Sequence, residues 1–260
     1  MSIINIKLLD KFIAKYHLGG STNGVKWVVH DGVLQTATIS EDKYVVGMVA
    51  INIDGFPDGE YGVFDTKLLQ QILGSLQDDV VIEVEKHIVN NVPIALNFRN
   101  ASGASKKKGK AFSVRFSLAS LDIISTSPKL KQLPEFDVVL ELDSDIISHF
   151  CNTKWASGMY NEITIESTPK LAKLYLGKSQ KNSNSTTMQW EWDADTNGLH
   201  TRLTALDPLS IRSDYFWKIL LANKDCSQGL ISISSSGLIK IEFKPYDRFI
   251  QLNYYLTKLI

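Results

Sequence analysis

The hydrophobic positions change period several times along the chain. Over residues 3–17, "IINIKLLDKFIAKYH", Leu8, Leu9, Phe12 and Ile13 recur at helical spacing and predict one amphipathic helix. The stretch "GGSTNG" at 19–24 ends it. Alternating runs follow, "VKWVV", "VLQTATI" and "YVVGMVAINI", with "HDG" and "FPDGEYG" as the turns between strands. Helical spacing returns at 65–76, "DTKLLQQILGSL". There Asp65 or Thr66 can cap the first turn, and Leu68, Leu69, Ile72, Leu73 and Leu76 make the buried stripe. The strands "VVIEVE", "IALNF" and "AFSVRFSL" come next.

Residues 125–134, "STSPKLKQLP", hold two prolines and no periodicity, and read as a linker. Beyond it the order starts again. A strand "DVVLEL" leads into a helix "SDIISHFCNTKW". The strands "EITIES", "KLAKLYLG", "TTMQWEWD" and "LHTRLTAL" follow, the last pair joined by a "TNG" turn. A helix "SDYFWKILLANK" and the strands "LISISS", "LIKIEF" and "FIQLNYYL" complete the chain. The segments "DTKLLQQILGSLQDDVVIEVE" and "SDYFWKILLANKDCSQGLISISS" repeat one plan: capped helix, polar turn, alternating strand. This internal echo predicts two similar α+β domains, 1–124 and 135–260, joined by 125–134. Each packs two helices on antiparallel sheet.

Composition adds little to that picture and removes several alternatives. The 260 residues are 44% hydrophobic and 22% charged, enough for a core without staples. The two cysteines, Cys151 and Cys226, form no CxxC, which fits a reducing compartment. No apolar run approaches the roughly 18 residues of a membrane span, and charges come too early for a signal peptide. A cytoplasmic protein is expected. Nucleotide-binding and hydrolase signatures are missing, and the five histidines stand singly, outside metal-ligand spacing. No enzyme activity, cofactor or metal is expected.

Net charge is zero, 28 basic residues against 28 acidic, so only the placement of charge can point to a polyanion. Lys7, Lys11 and Lys15 follow one another at a spacing of four, which stacks them on one side of the first helix. The other helices bring Lys67 beside Gln70 and Gln71, Lys154 beside His149 and Asn152, then Lys218 and Lys224. Apart from Asp10, the acidic residues stay near helix N-termini, where the dipole favours them. Lysines and amides without carboxylates suit weak, sequence-independent phosphate contacts.

With these elements in order, the chain resembles the DNA sliding clamps, the group of proliferating cell nuclear antigen and the processivity clamps of tailed phages. The resemblance rests on "YGVFDTKLLQQIL" at 61–73, "FSVRFSLASLDI" at 112–123, "LPEFDVVLELDSDIISHF" at 133–150 and the ending "LIKIEFKPYDRFIQLNYYLTKLI". It implies a homotrimeric ring, helices inside and sheet outside, that encircles double-stranded DNA and tethers a polymerase after a clamp loader places it. It implies a partner pocket built from Ile39, Leu130, Leu133, Leu238, Tyr255 and Leu256. It further implies subunit contacts by sheet continuation, with Val114, Phe116 and Leu118 of one copy beside Leu171, Leu174 and Leu176 of the next. The neutral charge and the stretch "TATISEDKYVVGMVAINIDGF" lean toward a viral or phage clamp, acting in the host cytoplasm; a eukaryotic one would act in the nucleus. The competing expectation is an interaction protein of the same duplicated fold with no DNA role.

Overall fold

A computed structural model describes residues 3–76, 79–100, 113–125, 127, 132–157, 160–177, 187–194 and 201–259. The "SKKKGK" stretch, the "TNG" turn, nearly all of the polar segment 178–187 and Leu130 lie outside the described residues.

The first half runs β1 (Ile3–Asn5), α1 (Ile6–His17), β2 (Val25–His30), β3 (Val33–Ile39), β4 (Val45–Asn52), β5 (Gly59–Val63), α2 (Thr66–Ser75), β6 (Asp79–Lys86), β7 (Pro93–Asn100) and β8 (Ser113–Ser117). A short 3-10 turn at Leu121–Ile123 follows. The second half runs β9 (Val138–Asp143), α3 (Ser144–Ser157), β10 (Glu162–Ser167), β11 (Leu171–Leu176), β12 (Met188–Asp193), β13 (Leu206–Arg212), α4 (Ser213–Ala222), β14 (Gln228–Ile233), β15 (Leu238–Phe243) and β16 (Phe249–Thr257). The two halves therefore share one element order. They share strand order too: β1-β6-β7-β8 matches β9-β14-β15-β16, and β5-β2-β3-β4 matches β13-β10-β11-β12. Among the described residues, the duplication read from two helix–strand segments extends to every α and β element.

The chain forms two compact units, Met1–Glu41 with Gly47–Pro128 and Pro245–Leu252, and Asp42–Val46 with Lys129–Lys244 and Asn253–Ile260. In the first unit α1 packs beside α2 over an aromatic core. Phe12, Tyr16, Trp27, Phe56 and Tyr61 meet edge to face, at centroid distances from 5.4 to 6.4 Å. The Trp27 indole N–H donates to Tyr16 Oη at 3.2 Å, so neither polar tip is buried unpaired. In the second unit Phe150 of α3 sits 4.9 Å from Phe216 of α4 and 5.2 Å from Trp190 of β12.

Two boundaries differ from the sequence reading, each for a local reason. Residues 3–5 do not open the first helix. They pair antiparallel with β6, and the Asn5 side chain then accepts the Leu8 N–H at 3.1 Å and caps α1. The strand expected at 199–206 lies further on, at Leu206–Arg212, and contains Pro208. Proline removes a ladder donor, and β13 tolerates it at the margin of its sheet, where it pairs with β10. The "HDG" turn behaves as expected: Asp31 at φ 49° and Gly32 at φ 73° make the left-handed pair that matches hairpin twist.

Candidate nucleic-acid interface

Each helix buries one stripe and leaves another in water, and that division sorts the expected lysines. On α1, Lys7 and Lys11 are exposed, whereas Lys15 is only 1% exposed. A step of four residues advances about 40° around a helix, so Lys15 stands about 80° from Lys7, toward the apolar face. Its Nζ lies 5.5 Å from the centre of the Tyr246 ring and 5.6 Å from that of Phe249. Lys15 thus leaves the row that the spacing suggested. Lys67 of α2 is exposed. Asp10, the acid on the exposed side of α1, accepts the Gln70 amide of α2 at 3.2 Å.

On α3 the buried positions are Ile147, Phe150, Cys151 and Lys154, a regular i, i+3, i+4, i+7 stripe. Lys154 therefore does not share a wet face with His149 and Asn152. Its ammonium donates to the Tyr160 carbonyl, and burial holds it below the ordinary lysine range. The exposed side of α3 carries Ser148, His149, Asn152 and Trp155 instead. On α4, Lys218 is half-buried with its Nζ 5.6 Å from the Tyr215 ring, and Lys224 is exposed just beyond the helix. The exposed cations of the four helices are then Lys7, Lys11, Lys67 and Lys224, with Lys218 partly so.

The C-terminal tyrosines divide between two faces of their sheet. Leu256 pairs with Ile239 and is fully buried in the core, so it cannot line a surface pocket. Tyr254 is buried with it, and its hydroxyl receives the Asn223 amide at 3.0 Å. Tyr255 points the other way, opposite Lys240 and on the face of the half-buried Leu238. It is 7% exposed, and burial raises its phenol pKa. Leu133 is exposed, and Ile39 is half-buried in the first unit.

The strand margins also sort the residues expected at subunit contacts. The strand β8 pairs with β7 and ends one sheet. Leu118 N–H donates inward to Ile94 O at 2.8 Å. Successive backbone groups alternate sides, so the N–H groups of Ser113, Arg115 and Ser117 face the open margin. Phe116 is buried, while Val114 and Leu118 are half-buried. Strand Leu171–Leu176 is not a margin. It lies between β10 and β12, with Leu174 and Leu176 in the core and Leu171 half-buried. Among the described residues the margins of that sheet are β13 and β12; β12 pairs with β11 and carries Gln189, Glu191 and Asp193 on its exposed face. Sequence alternation alone could not tell a central strand from its neighbour, since both read apolar every second residue. Next to β8, a groove of about 430 Å³ is lined by Phe64, Leu68, Ile72, Phe116 and Ile123.

One trio among the described residues has metal-ligand chemistry: His30, Asp31 and Asp58, all exposed. The two ring nitrogens of His30 face different carboxylates, Asp31 at 3.3 Å and Asp58 at 3.9 Å. Each side chain offers one ligand atom, and the three atoms lie within 4.8 Å of one another.

No protein-family model and no curated protein matches the chain. Among solved structures it is similar to the proliferating cellular nuclear antigen of Entamoeba histolytica, with a TM-score of 0.72 at 14% identity over 100% of this chain and 98% of that one. The chain has the sliding-clamp fold. The clamp likeness covers both halves, as the repeated element order requires. Among the described residues, no helix of this clamp-fold chain is long and apolar enough to cross a membrane.

Proposed function

We propose that the chain is a processivity clamp: a homotrimeric ring that encircles duplex DNA and tethers a polymerase and other replication proteins without chemistry of its own. The observation that carries this reading is the duplicated clamp fold with exposed lysines, Lys7, Lys11 and Lys67, on the helices of its first unit. Lys218 and Lys224 add to them in the second. Such a surface holds phosphates without reading bases, which permits sliding. Copies join head to tail, the β8 margin of one beside the β12 margin of the next. Among the described residues each strand ends its sheet and can take one more ladder partner. Arg115 is held by Glu85 and Glu191 by Lys173, so the backbone ladder carries the contact. The apolar groove beside β8 is covered in the same step. Pairing of this kind closes when the rotation permits a ring. Partner proteins anchor on Leu238, Tyr255 and Leu133, beside the linker.

The test is primer extension on a long circular template with a clamp loader and polymerase. The reading expects long products with the wild-type chain. It expects short products, with the oligomer intact, for Lys7→Glu, Lys11→Glu and Lys67→Glu combined. Undiminished product length in that variant would remove the helix faces from the reading. No stimulation by the wild-type chain, under conditions where it assembles, would favour the interaction protein without a DNA role.

A further inference from the structure

We infer that Trp155 is a DNA-contacting residue, which packs its indole on the deoxyribose–phosphate backbone of the duplex; this rests on the clamp reading above. The two units expose different chemistry on their helices. The first presents Lys7, Lys11 and Lys67. The second presents an exposed indole, which neither α1 nor α2 contains, beside the charges of Asp145 and Lys224. Trp155 is 78% exposed near the end of α3, and Leu221 is 38% exposed on α4, one turn after the half-exposed Trp217.

An indole left in water on a helix needs a reason. The phenylalanines of the same helices, Phe150 and Phe216, are buried. Trp155 continues a stripe with Ser148 and Asn152, at i+7 and i+3, with His149 beside it. From Ile146 to Ser157 α3 contains no acidic residue, and α4 contains none after Asp214. The stripe therefore offers a hydroxyl, an amide, an imidazole and an aromatic plate; its one carboxylate, the exposed Asp145 in the first turn, lies ten residues, about 15 Å of rise, from Trp155. An amphipathic aromatic at the acid-free end of such a row fits the sugar faces between phosphates. It also supplies attraction that releases no counterion. The lysines of the first unit supply the salt-dependent part of binding, and Trp155 a part independent of salt.

The experiment measures affinity for a fluorescent duplex over a series of salt concentrations, together with solution mass, for the wild type and Trp155→Ala, Trp155→Phe and Lys7→Gln. Wild-type binding is expected to weaken linearly on logarithmic axes. Trp155→Ala is expected to lower affinity on the order of tenfold at every salt concentration, leaving the slope unchanged. Trp155→Phe recovers most of the loss, and Lys7→Gln makes the slope shallower by about 0.9 per DNA-contacting copy. Wild-type affinity in Trp155→Ala would overturn the role of Trp155 and leave the clamp reading standing. A reduced mass in Trp155→Ala would overturn it too, by placing the indole between copies. No duplex binding by the assembled wild type with the clamp loader present would bring down the clamp reading itself, and this inference with it.

Discussion

At the scale of single residues, the fold depends on positions whose neighbours leave no alternative. Gly62 approaches the chain after β8 so closely that a Cβ would run into the Ala119 carbonyl oxygen. The Ala119 N–H also donates to Gly62 O at 2.8 Å. Gly62→Ala must open that bridge and should cost about 1–3 kcal/mol, seen as a lower midpoint in urea. His17 is buried at the end of α1. Burial holds its imidazole below the ordinary 6.5, against hydrogen bonds with Asn23 and Gln70 that raise it. The unfolded chain therefore takes up this proton first as pH falls. The stability in question is full above pH 6.5 and declines below it. Thermal melts at about pH 7.5 and about pH 5 should separate more for the wild type than for His17→Gln. Neither effect was legible in the sequence, where Gly62 reads only as part of "YGVF" and His17 as a helix end. Lys15 and Lys154 teach the same lesson. A lysine's spacing predicts its side of the helix, but a few tens of degrees decide whether its ammonium meets water or rings.

At the scale of elements, helices were easier to read than strand positions. Among the described residues four helices stand where apolar spacing placed them, with β1 detached from the first; α4 lacks the side-chain cap that its sequence suggested. Strands were legible as strands, from alternation and turn residues, but their neighbours were not. Alternation fixes which face is buried and says nothing about which strand lies alongside, and so β11 read as a margin while β12 holds that place. The backbone of β8 makes the margin testable. Ser117 presents its N–H outward and its side chain to water, so proline there removes an outward donor while the inward bond from Leu118 to Ile94 remains. Ser117→Pro should keep the native circular dichroism spectrum and lose assembly, measured as a fall in solution mass. Full assembly in a folded Ser117→Pro protein would take β8 out of the subunit contact.

At the scale of the whole molecule, the internal repeat was the most informative feature of the sequence, because one element order had to be satisfied twice. Two short helix–strand echoes pointed to it, and the structure extends the echo to all twenty α and β elements of the described residues. Zero net charge hid the uneven distribution between the units, with exposed lysines on the first unit's helices and aromatic surface on the second's. The central claim is that copies close into a ring, and solution mass by light scattering across a concentration series tests it most directly. The account predicts a species of about three times the 29.1 kDa chain that persists on dilution to working concentration. A monomer at every concentration, or a two-copy species that grows no further, would contradict it.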